Sequence, residues 1–211
     1  MAETVKTDKT YLWLIMAAIL ILVIFGWQLS KNWLNSGDQI DPLAIGPSDP
    51  AQGSLTPILT IIEFGDFQCP YCAEQHQILK EFINDNLTEV KHVWKDLPLV
   101  SIHDKAMEAA VAARCAQAQG QFWPMHNWLF EHQSEFTPEN YLEVATALGV
   151  DTDIFSQCLV SNTPQTYIQQ NILEAQALGL NSTPSIIIND KLYRDVLNIT
   201  VLNSLLTAAK Q

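Results

Sequence analysis

The chain has 211 residues, with 11 Lys plus Arg against 23 Asp plus Glu and a formal net charge of -12. A chain that acidic cannot release counterions from a phosphate backbone, so nucleic-acid binding is excluded as its main activity. With 48% hydrophobic and 16% charged residues it is too apolar for disorder, and its length suits one domain with short appendages.

The first predicted element is the run of 21 uncharged residues between Lys9 and Lys31, TYLWLIMAAILILVIFGWQLS. As a helix rising about 1.5 Å per residue it matches a hydrocarbon core of roughly 30 Å, with Tyr11, Trp13 and Trp27 at interfacial depth. A cleaved signal peptide would have a shorter apolar region and a small-x-small site, which WQLSKNWLNSGD lacks. Residues 1–30 are therefore expected to form a cytoplasmic stub and a transmembrane signal anchor. Lys6 and Lys9 against Lys31 orient the N-terminus to the cytoplasm. That makes the protein single-pass in the cell (inner) membrane, with the remainder extracytoplasmic or periplasmic. Residues 31–57, broken by Pro42, Pro47, Pro50 and Pro57, read as a flexible tether, or in part as a wrap docked through Trp33, Leu34 and Ile45.

Residues 58–211 read as an α/β domain. ILTIIEF at 58–64 predicts a strand, 65–68 a loop and 69–84 a helix. A second strand is expected at 90–94, and a third at 185–189 that turns at Asp190-Lys191 into Leu192 and Tyr193. Between the second and third strands come five helices, at 103–119, 123–132, 137–148, 153–160 and 164–178. A closing helix follows at 200–209. Thr137-Pro138 and Thr163-Pro164 place a cap before a first-turn proline, and Gly149 and Gly179 sit where helices stop. The expected architecture is a small sheet interrupted by a helical insertion at about 103–178.

Cys69-Pro70-Tyr71-Cys72 falls at the predicted strand-to-helix junction, where unpaired backbone N–H groups and the helix dipole stabilise a thiolate. Cys69 is the expected attacking sulfur, and Cys72, one turn inward, resolves the mixed disulfide. A structural zinc site needs a second short-spaced pair, which Cys115 and Cys158 do not form, so neither metal nor organic cofactor is implied. Thr183-Pro184-Ser185 is a natural place for a cis-proline beside the site. Glu63 interrupts an apolar strand six residues before Cys69. It is either a buried proton acceptor for Cys72 or a strand-end acid whose head reaches solvent. Cys115 and Cys158, 43 positions apart, leave three readings: a disulfide between packed helices, which leads, two buried thiols, or an electron-shuttle pair. The other histidines show no ligand spacing, and His76 reads as a surface helix residue.

Over residues 55–211 the chain resembles the thioredoxin-fold, DsbA-like thiol-disulfide oxidoreductases, particularly their membrane-tethered bacterial members. Glu63, Phe67-Gln68-Cys69-Pro70-Tyr71-Cys72, Thr183-Pro184 and the segment 97–130 carry the resemblance. It implies Cys69 as exposed nucleophile, Cys72 as resolving thiol, Pro184 as cis-proline, Thr183 as a backbone contact for substrate and Glu63 as buried acid. Tyr71 stands where strongly oxidising members have His and is expected beside the substrate. Implied partners are reduced or misoxidised exported proteins and a membrane redox protein, with the chain itself a monomer. Disulfide isomerase or reductase activity on the same cysteines, or a noncatalytic chaperone or binding module, are the competing functions.

Overall fold

The computed structural model describes residues 16, 19–24 and 45–211. Strands β2 (Leu59–Gly65) and β3 (Val90–Asp96) are buried on both faces, and they pair in parallel from Leu59↔Val90 to Gly65↔Asp96 at the centre of a five-stranded sheet. The order is β1-β3-β2-β4-β5, with β1 (Ala51–Gly53), β4 (Ser185–Ile188) and β5 (Lys191–Tyr193) each antiparallel to its neighbour.

On one face, α1 (Pro70–Asp85) and α7 (Ile199–Ala209) bury Leu79, Phe82, Leu202 and Leu206 against Leu59, Ile61 and Ile186. Between β3 and β4 comes the insertion: α2 (Ala106–Gln117), α3 (Phe122–Glu131), α4 (Pro138–Ala147), α5 (Thr152–Leu159) and α6 (Thr163–Ala177). Buried Ala109, Ala112, Ala113 and Ala116 let neighbouring helices approach α2 closely, and Cys115 on α2 is bonded to Cys158 on α5 with Cα atoms 5.7 Å apart. The α/β core with inserted helices and the leading reading of the second cysteine pair are thus observed.

A buried ionic network ties the insertion to the sheet. Lys95 of β3, fully buried, donates to Asp49 (2.6 Å) and Glu174 of α6 (2.7 Å). Its neighbour Asp96 bonds the Arg114 Nε, and Arg114 also donates to Asn171 (2.6 Å) and to the Ser48 carbonyl (2.7 Å).

The expected transmembrane signal anchor is corrected. Among the described residues no helix is long and apolar enough to cross a membrane. Residue 16 and residues 19–24 are helical. The single-pass placement that rested on the anchor falls with it. The remainder of 1–30, and the tether as far as residue 44, lie outside the described residues. Pro42–Gln211 forms one compact unit, in which residues 51–53, read as tether, are the edge strand β1. Three residues carry too little periodicity to signal a strand, and β1 is held by its pairing to β3.

Two local readings also change. The β4–β5 turn is Asn189-Asp190, both at positive φ (44° and 70°), a conformation their short polar side chains tolerate, rather than Asp190-Lys191. Thr137 caps α4 through the Asn140 N–H as expected, but Thr163 lies inside α6, whose N-cap is Asn162.

Candidate active site

The β2–α1 loop is held from below by Asp66, whose carboxylate is almost fully buried. It accepts from the Gln68 N–H (2.8 Å) and the Leu99 N–H (2.8 Å) and pairs with His103 Nδ1 (2.8 Å). Phe67 stacks on Trp94 of β3 with ring centroids 4.7 Å apart. Trp94 crosses the backbone so closely at Gly65 that any Cβ there would enter its ring. From the insertion, Gln133 Nε2 donates to both the Phe67 carbonyl (2.8 Å) and the Cys69 carbonyl (2.9 Å), gripping the loop on either side of Gln68.

Cys69 is the N-cap of α1, and Pro70 follows at its first helical position, where a missing N–H loses nothing. Cys69 and Cys72 stand as free thiols. The Cys69 thiol is lowered to about 5, chiefly by a hydrogen bond from the Cys72 side chain. Burial opposes this, and Thr183 and the backbone N–H groups of Cys72 and Tyr71 add to it. Burial pushes the Cys72 thiol well up, with Cys69 and the charge of Glu63 adding to it. The two sulfurs are thereby polarised in opposite directions within one helical turn. Cys69 is less open than expected, at 4% exposure, but Cys72 has none.

Thr183-Pro184 is a cis peptide, and the Cys69 thiol donates to the Thr183 carbonyl at 3.4 Å, so the two distant segments meet. Tyr71 is 63% exposed beside them, on the rim of a cleft of about 320 Å³ with Glu74, Thr183, Pro184, Arg194 and Asp195. Glu63 is 1% exposed, which removes the solvent-reaching alternative. Its Oε2 lies 2.9 Å from His92 Nε2, while Oε1 is buried with no hydrogen-bond partner among the described residues.

Sequence reasoning missed the histidines. His76, read as a surface residue, is buried on α1, with its ring 5.2 Å from that of His126 and 5.0 Å from that of Phe130. Burial lowers His76 to about 4, with Lys80 adding, and drives His126 well below the usual imidazole range. His92 completes the group, 6.4 Å from His126 between ring centroids. The missed signal is period 2 along β3: His92 shares the alternation of Val90 and Trp94 and so the buried face of the sheet.

The model of the thioredoxin family matches residues 46–208. The chain belongs to the thioredoxin family. Its DsbA-like character, with the helical insertion and the Cys69–Cys72 pair of a thiol-disulfide oxidoreductase, is matched by solved structures. A thioredoxin-like oxidoreductase from Silicibacter pomeroyi DSS-3 is 25% identical with a TM-score of 0.69, covering 82% of this chain and 98% of that one. BdbD from Bacillus subtilis, at 22% identity and a TM-score of 0.68 over 77% of this chain and 92% of that one, shares the fold. Among curated proteins, the Na(+)/H(+) antiporter NhaA 1 of Salinispora arenicola is 34% identical over 161 residues, 76% of this chain but 24% of that protein. The chain thus spans about a quarter of the length of the curated relatives it matches, and the antiport in their name belongs to those proteins.

Proposed function

We propose that the chain acts as a thiol-disulfide oxidase on reduced exported polypeptides. A substrate thiolate attacks the Cys69 sulfur of the oxidised pair, the Cys69–Cys72 bond breaks, and the Cys72 sulfur leaves and takes up a proton. The second substrate thiolate then attacks the substrate sulfur of the mixed disulfide and expels Cys69 as a thiolate. The substrate leaves with one new disulfide, and two electrons remain on the dithiol. A membrane redox protein is the partner that returns the pair to the disulfide.

The observation that carries this direction is the lowered Cys69 thiol: it makes Cys69 a good leaving group and stabilises the reduced form, which is what makes a disulfide oxidising. The Cys115–Cys158 bond supports an oxidising compartment. Glu63, with His92 behind it, is the carboxylate through which a proton is relayed to the departing Cys72 sulfur. Thr183 and Pro184 present backbone to an extended substrate, and Tyr71 gives it an apolar contact.

Equilibration of the full chain with a glutathione series, following Cys69 by thiol labelling, tests the direction. A potential near or above about -200 mV is expected, and one near that of thioredoxin, about -270 mV, would turn the reading to a reductase. Cys69→Ser should abolish oxidation of a reduced peptide. Undiminished oxidation by that variant would overturn the mechanism, and peptide binding as the sole activity of the unaltered chain would make it a binding module.

A further inference from the structure

Away from the cysteine pair, the insertion contains a cleft of about 360 Å³ between α2, α4, α5 and the start of α6. Its walls are apolar: Met107, Val111, Pro138, Leu142 and Leu159. Two polar atoms interrupt them. Tyr141 is 2% exposed, and its hydroxyl has no hydrogen-bond partner among the described residues. The same holds for the buried Oε1 of Gln165. Leaving such groups unpaired costs about 1–3 kcal/mol each, so two of them facing one apolar cleft of ligand size mark a place where a ligand's polar group completes the bonding.

The remaining polar residues of the lining restrict that group. Ser156 has its proton committed to the Thr152 carbonyl (2.6 Å), and Gln165 Oε1 can only accept. The charged side chain at the rim is Glu108, paired outward with Lys105 at 3.2 Å. Burial, with the Glu108 charge adding, pushes the Tyr141 phenol upward, so it stays neutral and able to donate or accept. A carboxylate or phosphate head could accept from Tyr141 but would face the Gln165 acceptor and the negative rim of Glu108, whereas a hydroxyl or ammonium head would meet partners for its protons.

We infer that this cleft binds a non-anionic amphiphile, an apolar or aromatic body carrying a hydrogen-bond-donating head that bonds Tyr141 and Gln165. The site is separate from the thiol chemistry and stands or falls without it.

Three probes with one aromatic body and different heads decide the matter: naphthylmethanol, naphthylmethylamine and naphthoate, titrated calorimetrically into the full chain. The alcohol and amine are expected to bind below about 1 mM, with naphthoate at least roughly tenfold weaker, a gap of about 1.4 kcal/mol. Tyr141→Phe should weaken the alcohol several-fold while the unliganded variant melts no lower than the parent, because no bond is lost. Gln165→Leu should weaken it independently. Equal binding of all three heads, unchanged binding by both variants, or no heat with any probe, which would leave water as the occupant, each overturn the inference.

Discussion

Among the described residues, two buried polar clusters each draw a residue from β3, Lys95 in one and His92 in the other, and they are finished to different standards. Around Lys95 and Asp96, two cations, Lys95 and Arg114, bond three carboxylates, Asp49, Asp96 and Glu174, and the group is bonded further through Asn171 and the Ser48 carbonyl. None of these residues has a buried side-chain atom without a hydrogen-bond partner. Under the cysteines, Glu63 Oε1, His76 Nε2 and His126 Nε2 are all buried and unpartnered. A closed network has every bonding position used, whereas the open valences are left unbonded by their burial. Completeness of bonding, more than burial or charge, separates the part of the core that braces the insertion from the part that lies under the cysteines.

The largest expected effect lies in the closed cluster. Lys95→Met strands two buried carboxylates, and a loss of about 3–5 kcal/mol in unfolding free energy is expected from denaturant titration. A loss below about 1 kcal/mol would mean the network is solvated and the contrast unfounded.

Next comes acid. His76 is lowered to about 4 and His126 well below the usual value, so below pH 6.5 the unfolded chain binds protons that the folded chain does not. Stability from these two is fully present above pH 6.5 and is lost as pH falls towards 4. Between pH 7 and 5 the loss should be on the order of 3 kcal/mol, and His126→Phe should flatten it by about half. An unaltered pH slope in that variant would show that His126 does not carry the acid response.

The smallest effect on stability is expected at Glu63. Glu63→Gln removes a charge whose second oxygen is unpartnered, so stability should shift by no more than about 1 kcal/mol, while stopped-flow exchange of the cysteine pair slows at least roughly tenfold. Lost stability with an unchanged exchange rate would place Glu63 with the bracing residues.

Much of this was legible from the chain alone where the signal is local. The Cys69-Pro70-Tyr71-Cys72 junction, the Thr137 cap and the glycine stops need only neighbours in sequence. Thr183-Pro184 was placed by the apolar run after it. The pairing of Cys115 with Cys158 stood as one of three readings, since spacing alone does not bring two helices together. The histidines escaped because burial of His76 and His126 depends on α1 packing on α3, which no spacing along either helix announces. Asp66 and Gln133 escaped for the same reason: their value lies in backbone groups that only the folded loop presents. The apolar run at 10–30 shows the opposite failure, a strong local pattern that led to a membrane span not found among the described helices.

The complete burial of Cys72 also controls timing. A thiol arriving from solution finds no path to that sulfur, so in the proposed oxidation attack on the disulfide falls on Cys69, and Cys72, one helical turn away, competes with the substrate's own second cysteine for the mixed disulfide. Under that proposal a substrate whose second cysteine arrives before Cys72 does would leave oxidised and a slower one would be returned, so the buried sulfur would set the interval each client has.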